Sequence, residues 1–136
     1  MARILVIEDQ DLVRATLKSV LEGAGHSIAV AADGVDGLQQ FRQAAFALVI
    51  CDVFMPRKDG LATLEELRTI SGEVPVIMIS GGSMRPLRVG DARNLDYLQM
   101  AMDLGASQTL AKPFNSRELT TLVATVLAEA KPPSLH

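Results

Sequence analysis

Five short apolar runs, each followed by a turn and a stretch with helical spacing, constrain this chain most. They are Ile4–Ile7, Ser27–Ala31, Ala47–Cys51, Pro75–Ile79 and Gln108–Ala111. Three of them are apolar at every position, as strands buried on both faces must be. In the intervals, candidate core positions recur every three or four residues: Val13, Thr16, Leu17, Val20 and Leu21, then Val35, Leu38 and Phe41. Strands alternating with helices predict an α/β fold, a parallel sheet covered on both sides. The helices expected are Asp11–Gly23, 34–43, Leu61–Ile70, Ala92–Leu104 and Arg117–Ala130, with Asn115 capping the last. Gly23 and Gly25 are expected to end the first, and Gly105 the fourth. Ser80–Gly90 reads as an irregular loop by its Gly and Pro content. With 136 residues, the chain suits one domain. Its expected bounds are 1–131, with 132–136 a tail.

In parallel sheets of this kind, ligands bind outside the carboxyl ends of the strands. Glu8 and Asp9 follow the first run, Asp52 the third, Ser80 and Gly81 the fourth, and Lys112 the fifth. A carboxylate leaving so apolar a run as Ala47–Cys51 is costly unless something pairs with it. Three carboxylates brought together repel, and a cation relieves the repulsion. Oxygen donors without Cys or His select a hard ion, and Mg²⁺ is the usual choice beside phosphate. Lys112, the Ser80 hydroxyl and the Gly81 amide would then surround a phosphoryl group on Asp52. Phosphoryl transfer needs mainly positioning and charge neutralisation.

Other classes fit less well. The net charge is −3 with scattered Lys and Arg, which gives no basic patch for nucleic acid. No apolar run is long enough for a membrane span or a signal-peptide core. The single cysteine, Cys51, cannot form an internal disulfide and fits a reducing, cytoplasmic compartment. Its strand position marks it as a small core hydrophobe. His26 and His136 lie in a turn and at the C-terminus, and neither is placed as a base. A phosphatase with an aspartate nucleophile would want a second acid two residues on, where Phe54 stands. A nucleotide or flavin binder would want a Gly/Ser/Thr-rich loop after the first strand, where Glu8 and Asp9 stand.

Glu8-Asp9, then Asp52 through Pro56 with Asp59-Gly60, then Ser80-Gly81, then Lys112-Pro113-Phe114 form an ordered set spanning residues 3 to about 130. In this set the chain resembles the receiver domain of two-component response regulators. The resemblance implies a flavodoxin-like, doubly wound sheet of five parallel strands in the order 2-1-3-4-5, with five helices. It implies that Asp52 accepts the phosphoryl group. Asp9 would bind Mg²⁺ directly and Glu8 through water, with the Phe54 backbone carbonyl completing the protein ligands. Lys112 would contact the phosphoryl oxygens, and Pro113 would follow a cis peptide bond.

Ser80 would be the hydroxyl that senses the phosphate. The family often has an aromatic residue three positions before the lysine. Here that switch position is Thr109. The segment from Ser80 to Lys112 is longer than usual, with the excess in Gly82–Asp91. Leu98, Met100 and Met102 are expected to pack inward. The implied role is a phosphorylation-dependent switch rather than a turnover enzyme, assisting its own phosphorylation and dephosphorylation. Implied partners are a histidine kinase or phosphotransfer protein meeting the chain near Leu12, an output protein, and optionally a second copy. The alternative is a degenerate receiver that binds proteins independently of phosphorylation.

Overall fold

The structure, a computed structural model, describes residues 2–55, 59–80 and 99–130. In chain order the elements are β1 (Arg3–Ile7), α1 (Asp11–Gly23), β2 (Ser27–Ala31), α2 (Gly34–Gln43), β3 (Leu48–Asp52), α3 (Gly60–Ile70) and β4 (Val76–Ser80). A helix whose described part is 99–103, here α4, follows. Then come β5 (Gln108–Ala111) and α5 (Ser116–Glu129). The strands are parallel and ordered β2-β1-β3-β4-β5. This is the expected flavodoxin-like order.

Alternation along the inner strands divides their side chains between two cores, because successive residues of a strand face opposite sides. Leu5, Ile7, Val49, Cys51, Val76 and Met78 meet Leu38, Leu64, Leu67 and Ala101 on the side of α2, α3 and α4. Ile4, Val6, Leu48, Ile50, Ile77 and Ile79 meet Leu17 and Leu21 of α1 and Leu119, Val123 and Val126 of α5. Each Val, Leu, Ile or Met among them contributes about 1.5–3 kcal/mol on burial. Cys51 is fully buried, and burial pushes its thiol well above the usual range. It is the inert core residue expected.

The structure corrects four details. β3 and β4 each run one residue further than their apolar runs, so Asp52 and Ser80 are the last residues of their strands. Val35 is 52% exposed. The buried stripe of α2 is Gly34, Gly37 and Leu38, with Phe41 partly buried, and Val35 lies off it. Thr16 is also exposed, and its hydroxyl donates to the Leu12 carbonyl (2.8 Å). Met100 and Met102 are 47% and 43% exposed, and only Ala101 between them is buried. Leu98 lies outside the described residues, as do Pro56, Gly81 and the Gly82–Asp91 segment.

Asn115 caps α5 as expected, its side chain accepting from the Glu118 N–H (2.8 Å). Gly25 and Gly105 take φ of +98° and +103° after α1 and α4, values that L-residues with a Cβ rarely adopt. Opposite the strands' carboxyl ends, Arg68 donates to the carbonyls of Ser71, Val74 and Gly105. It ties the end of α3 to the turn after α4.

Candidate functional site

β1 and β3 are neighbours, with Ile7 opposite Cys51. The next residues, Glu8 and Asp52, therefore emerge side by side. They are 1% and 2% exposed. One carboxylate oxygen each from Glu8, Asp9 and Asp52 lies within 4.8 Å of the others. Lys112 follows β5, two strands from β3. Its Nζ reaches 3.2 Å from Asp52 Oδ2 and 3.4 Å from Glu8 Oε2. The Lys112 amide donates to the Ser80 carbonyl (2.8 Å), which extends the β4–β5 ladder to the site. The Lys112–Pro113 peptide is cis. Asp52 Oδ1 accepts the Phe54 N–H (3.0 Å), and Glu8 Oε1 accepts the Gln10 N–H (3.2 Å).

Of the residues expected to converge, Glu8, Asp9, Asp52 and Lys112 do so, and Gly81 lies outside the described residues. Ser80 is buried at the end of the adjacent strand. Thr109 sits opposite Met78, two residues short of the end of β5. The structure places it on the strand rather than in the carboxylate cluster. The Phe54 ring packs, partly buried, against the core on the α2–α3 side. Asp9 does not cap α1, because the N-cap is Gln10, with no side-chain cap, and Asp11 is a first-turn acid.

Burial raises the Glu8 carboxyl to about 8 from its ordinary 4.5, helped by the hydrogen bond and charge of Asp52. Lys112 and the Gln10 amide pull the other way. Near neutral pH, a proton on Glu8 therefore compensates part of the cluster's charge. The donor set suits replacement of that proton by a hard cation: three carboxylates, no Cys or His, and two of the three buried. Glu8, Asp9 and Asp52 are the residues that would hold Mg²⁺.

This has a sign. Between about pH 4.5 and 8 the folded, metal-free protein carries a proton on Glu8 that the unfolded chain has lost. Stability from this group is full below the unfolded value and is lost as pH rises through the folded one. Mg²⁺ competes with that proton. The rise in melting temperature on adding Mg²⁺ should therefore be larger at pH 8 than at pH 6. An equal rise at both values would mean that Glu8 does not take part.

Two contributions were not legible as chemistry. Gly60 donates its N–H to the Val53 carbonyl (2.8 Å). A Cβ on Gly60 would lie 2.0 Å from the Asp52 carbonyl oxygen. Asp59 before it caps α3 by accepting the Ala62 N–H (2.7 Å). Arg14 of α1 donates to the Glu8 carbonyl (3.0 Å). Beside the site, α1 and the turn after β5 frame a groove of about 450 Å³. Its lining includes Leu12, Val13, Lys112, Pro113 and Phe114, and Leu12 is 80% exposed.

Residues 4–124 match the family model of the response regulator receiver domain. The chain belongs to that family. It is 32% identical over 134 residues to the transcriptional regulatory protein CpxR homolog of Haemophilus influenzae, covering 98% of this chain and 54% of that protein. It is 32% identical over 130 residues to the response regulator MprA of Mycobacterium avium, covering 96% and 53%. The chain thus spans about half the length of these curated relatives. Among solved structures it is similar to a response regulator receiver domain protein from Clostridium thermocellum (TM-score 0.82, 29% identity, 94% and 95% covered). It is also similar to the receiver domain of NtrX from Brucella abortus (TM-score 0.81, 30% identity, 93% and 98% covered).

Proposed function

We propose that this chain is a phosphorylation switch that takes a phosphoryl group onto Asp52 from a phosphohistidine on a kinase or phosphotransfer protein. The observation that carries this is the convergence of three carboxylates and Lys112 at the sheet's carboxyl end. Asp52 attacks the phosphorus, a P–O bond forms, and the P–N bond to the imidazole breaks. The imidazole leaves with the electron pair and regains a proton. Lys112, already 3.2 Å from Asp52, moves its charge onto the incoming phosphoryl oxygens. The Phe54 amide holds Asp52 Oδ1 and orients the carboxylate.

Mg²⁺, when bound, neutralises charge on the transferring group. Glu8, Asp9 and Asp52 would hold it, with the Phe54 carbonyl as a further ligand. Ser80, tied by its carbonyl to the Lys112 amide, would be the hydroxyl that senses the phosphate, with Thr109 behind it on β5. The chain acts as a phosphoacceptor that assists its own phosphorylation and dephosphorylation, not as a turnover enzyme. We place it in the cytoplasm. An output protein or output domain would read the phosphorylated state without this domain touching nucleic acid. A receiver reduced to a phosphorylation-independent binding module would have no use for two buried carboxylates.

The groove around Leu12 is the proposed docking place for the phosphodonor, because it adjoins Lys112 and is mostly apolar. Leu12→Ala should slow transfer from a protein donor about tenfold, as loss of an exposed anchor in an interface does. It should leave transfer from a small acyl phosphate unchanged. Equal rates from the protein donor would remove Leu12 from the interface. The switch reading itself is tested by incubation with a small acyl phosphate. Addition of one phosphoryl group should require Mg²⁺ and stop on chelation.

A further inference from the structure

Arg14 lies one turn inside α1, mostly buried, and reaches back across the β1–α1 turn. Its Nη1 donates to the Glu8 backbone carbonyl (3.0 Å), and its Nη2 pairs with exposed Asp11. Its own amide donates to the Gln10 carbonyl (2.8 Å). Residues 8 to 14 are thus closed into a ring by one residue. On the other side, the Glu8 amide donates to the Ala31 carbonyl (3.0 Å) and holds Glu8 to β2. The helix start that Arg14 secures has no side-chain cap of its own.

The carbonyl that Arg14 holds belongs to the peptide joining the two acids. Fixing that peptide fixes the direction in which Asp9 leaves it. We infer that Arg14 is a positioning residue for the metal site, acting on the Glu8–Asp9 peptide rather than on the carboxylates. This rests on the Mg²⁺ reading above. A loop left free would have to be ordered when the ion binds, at a cost in affinity. Charge alone argues for the reverse effect. A guanidinium near a cation site repels the cation, so removing it for electrostatic reasons would tighten binding. Asp11 offsets much of that charge, which leaves the hydrogen bond to Glu8 as the main contribution. Partners that orient metal ligands typically change affinity 10- to 100-fold when lost.

The test compares wild type, Arg14→Met, Arg14→Lys and Asp11→Asn by calorimetric Mg²⁺ titration and by phosphorylation with a small acyl phosphate. Arg14→Met should weaken Mg²⁺ binding about tenfold. It should raise the Mg²⁺ concentration for half-maximal phosphorylation by the same factor, with the rate at saturating Mg²⁺ within about twofold. Arg14→Lys, which can still reach the Glu8 carbonyl, should recover part of the affinity. Asp11→Asn, which lifts the offset to the guanidinium but leaves its hydrogen bond to Glu8, should weaken binding by less than Arg14→Met does. Unchanged or tighter Mg²⁺ binding in Arg14→Met overturns the inference. Amide exchange at Asp9 and Gln10, which needs no metal, should quicken in both Arg14 variants while β1 stays protected. Unchanged exchange there overturns it as well. Failure of the wild type to bind Mg²⁺ counts against the switch reading instead.

Discussion

Lys112→Met should slow phosphorylation by a small acyl phosphate by about 10²–10³-fold, the loss expected on removing one preorganised charge from a developing transition state. The same change should tighten Mg²⁺ binding, because Lys112 occupies carboxylate oxygens the ion would use. It should also destabilise the metal-free protein. Removing one partner of a buried ion pair typically costs about 3–5 kcal/mol, and here it leaves Glu8 and Asp52 without their cation. The penalty should be largest near pH 8. It should shrink toward pH 6, because the proton taken up by Glu8, whose carboxyl is raised to about 8, stands in for the missing charge. Urea titrations at the two pH values measure the stability. Slow transfer with tight Mg²⁺ binding would give Lys112 its place on the phosphoryl group. Unaltered transfer would make it a counter-ion of the resting state alone.

Gly60→Ala should be the most damaging added methyl among the described glycines. The added Cβ would meet the Asp52 carbonyl at 2.0 Å and the Val53 Cα at 2.7 Å. Both are backbone atoms, so no side-chain rotation relieves the overlap. Either α3 retreats or the end of β3 moves, and overpacking of this kind costs about 3 kcal/mol or more. Moving β3 would also displace Asp52. The comparison is Asp59→Ala, which removes only the α3 cap and should cost about 1 kcal/mol. Urea unfolding of both variants checks the order. A Gly60→Ala variant as stable as Asp59→Ala would show that the α3 start yields easily.

The sheet was legible because burial on both faces leaves continuous apolar runs at β1, β3 and β4, and the topology then places their ends together. The strand ends were misplaced by one residue at Asp52 and Ser80, because a polar side chain ends an apolar run while its backbone still joins the ladder. The face of α2 was misread at Val35. Two glycines share the buried stripe, and an apolar-residue pattern does not see glycine. The exposed Met100 and Met102 look like core residues by composition, and only their placement around Ala101 shows otherwise. In the site, Glu8, Asp9, Asp52 and Lys112 were legible because each is a charge at a strand end. Arg14 and Gly60 were not legible from the residues alone. Both act on backbone atoms of Glu8, Asp52 and Val53, and a sequence does not show which carbonyl a side chain, or its absence, will meet.

The most direct measurement is intact-protein mass after incubation with Mg²⁺ and a small acyl phosphate, for wild type and Asp52→Asn. The account predicts one added phosphoryl group on the wild type and none on the variant, whose fold should persist because the change removes a buried charge from a crowded cluster. An adduct of equal yield on both proteins would place the phosphoryl group elsewhere and contradict Asp52 as the acceptor.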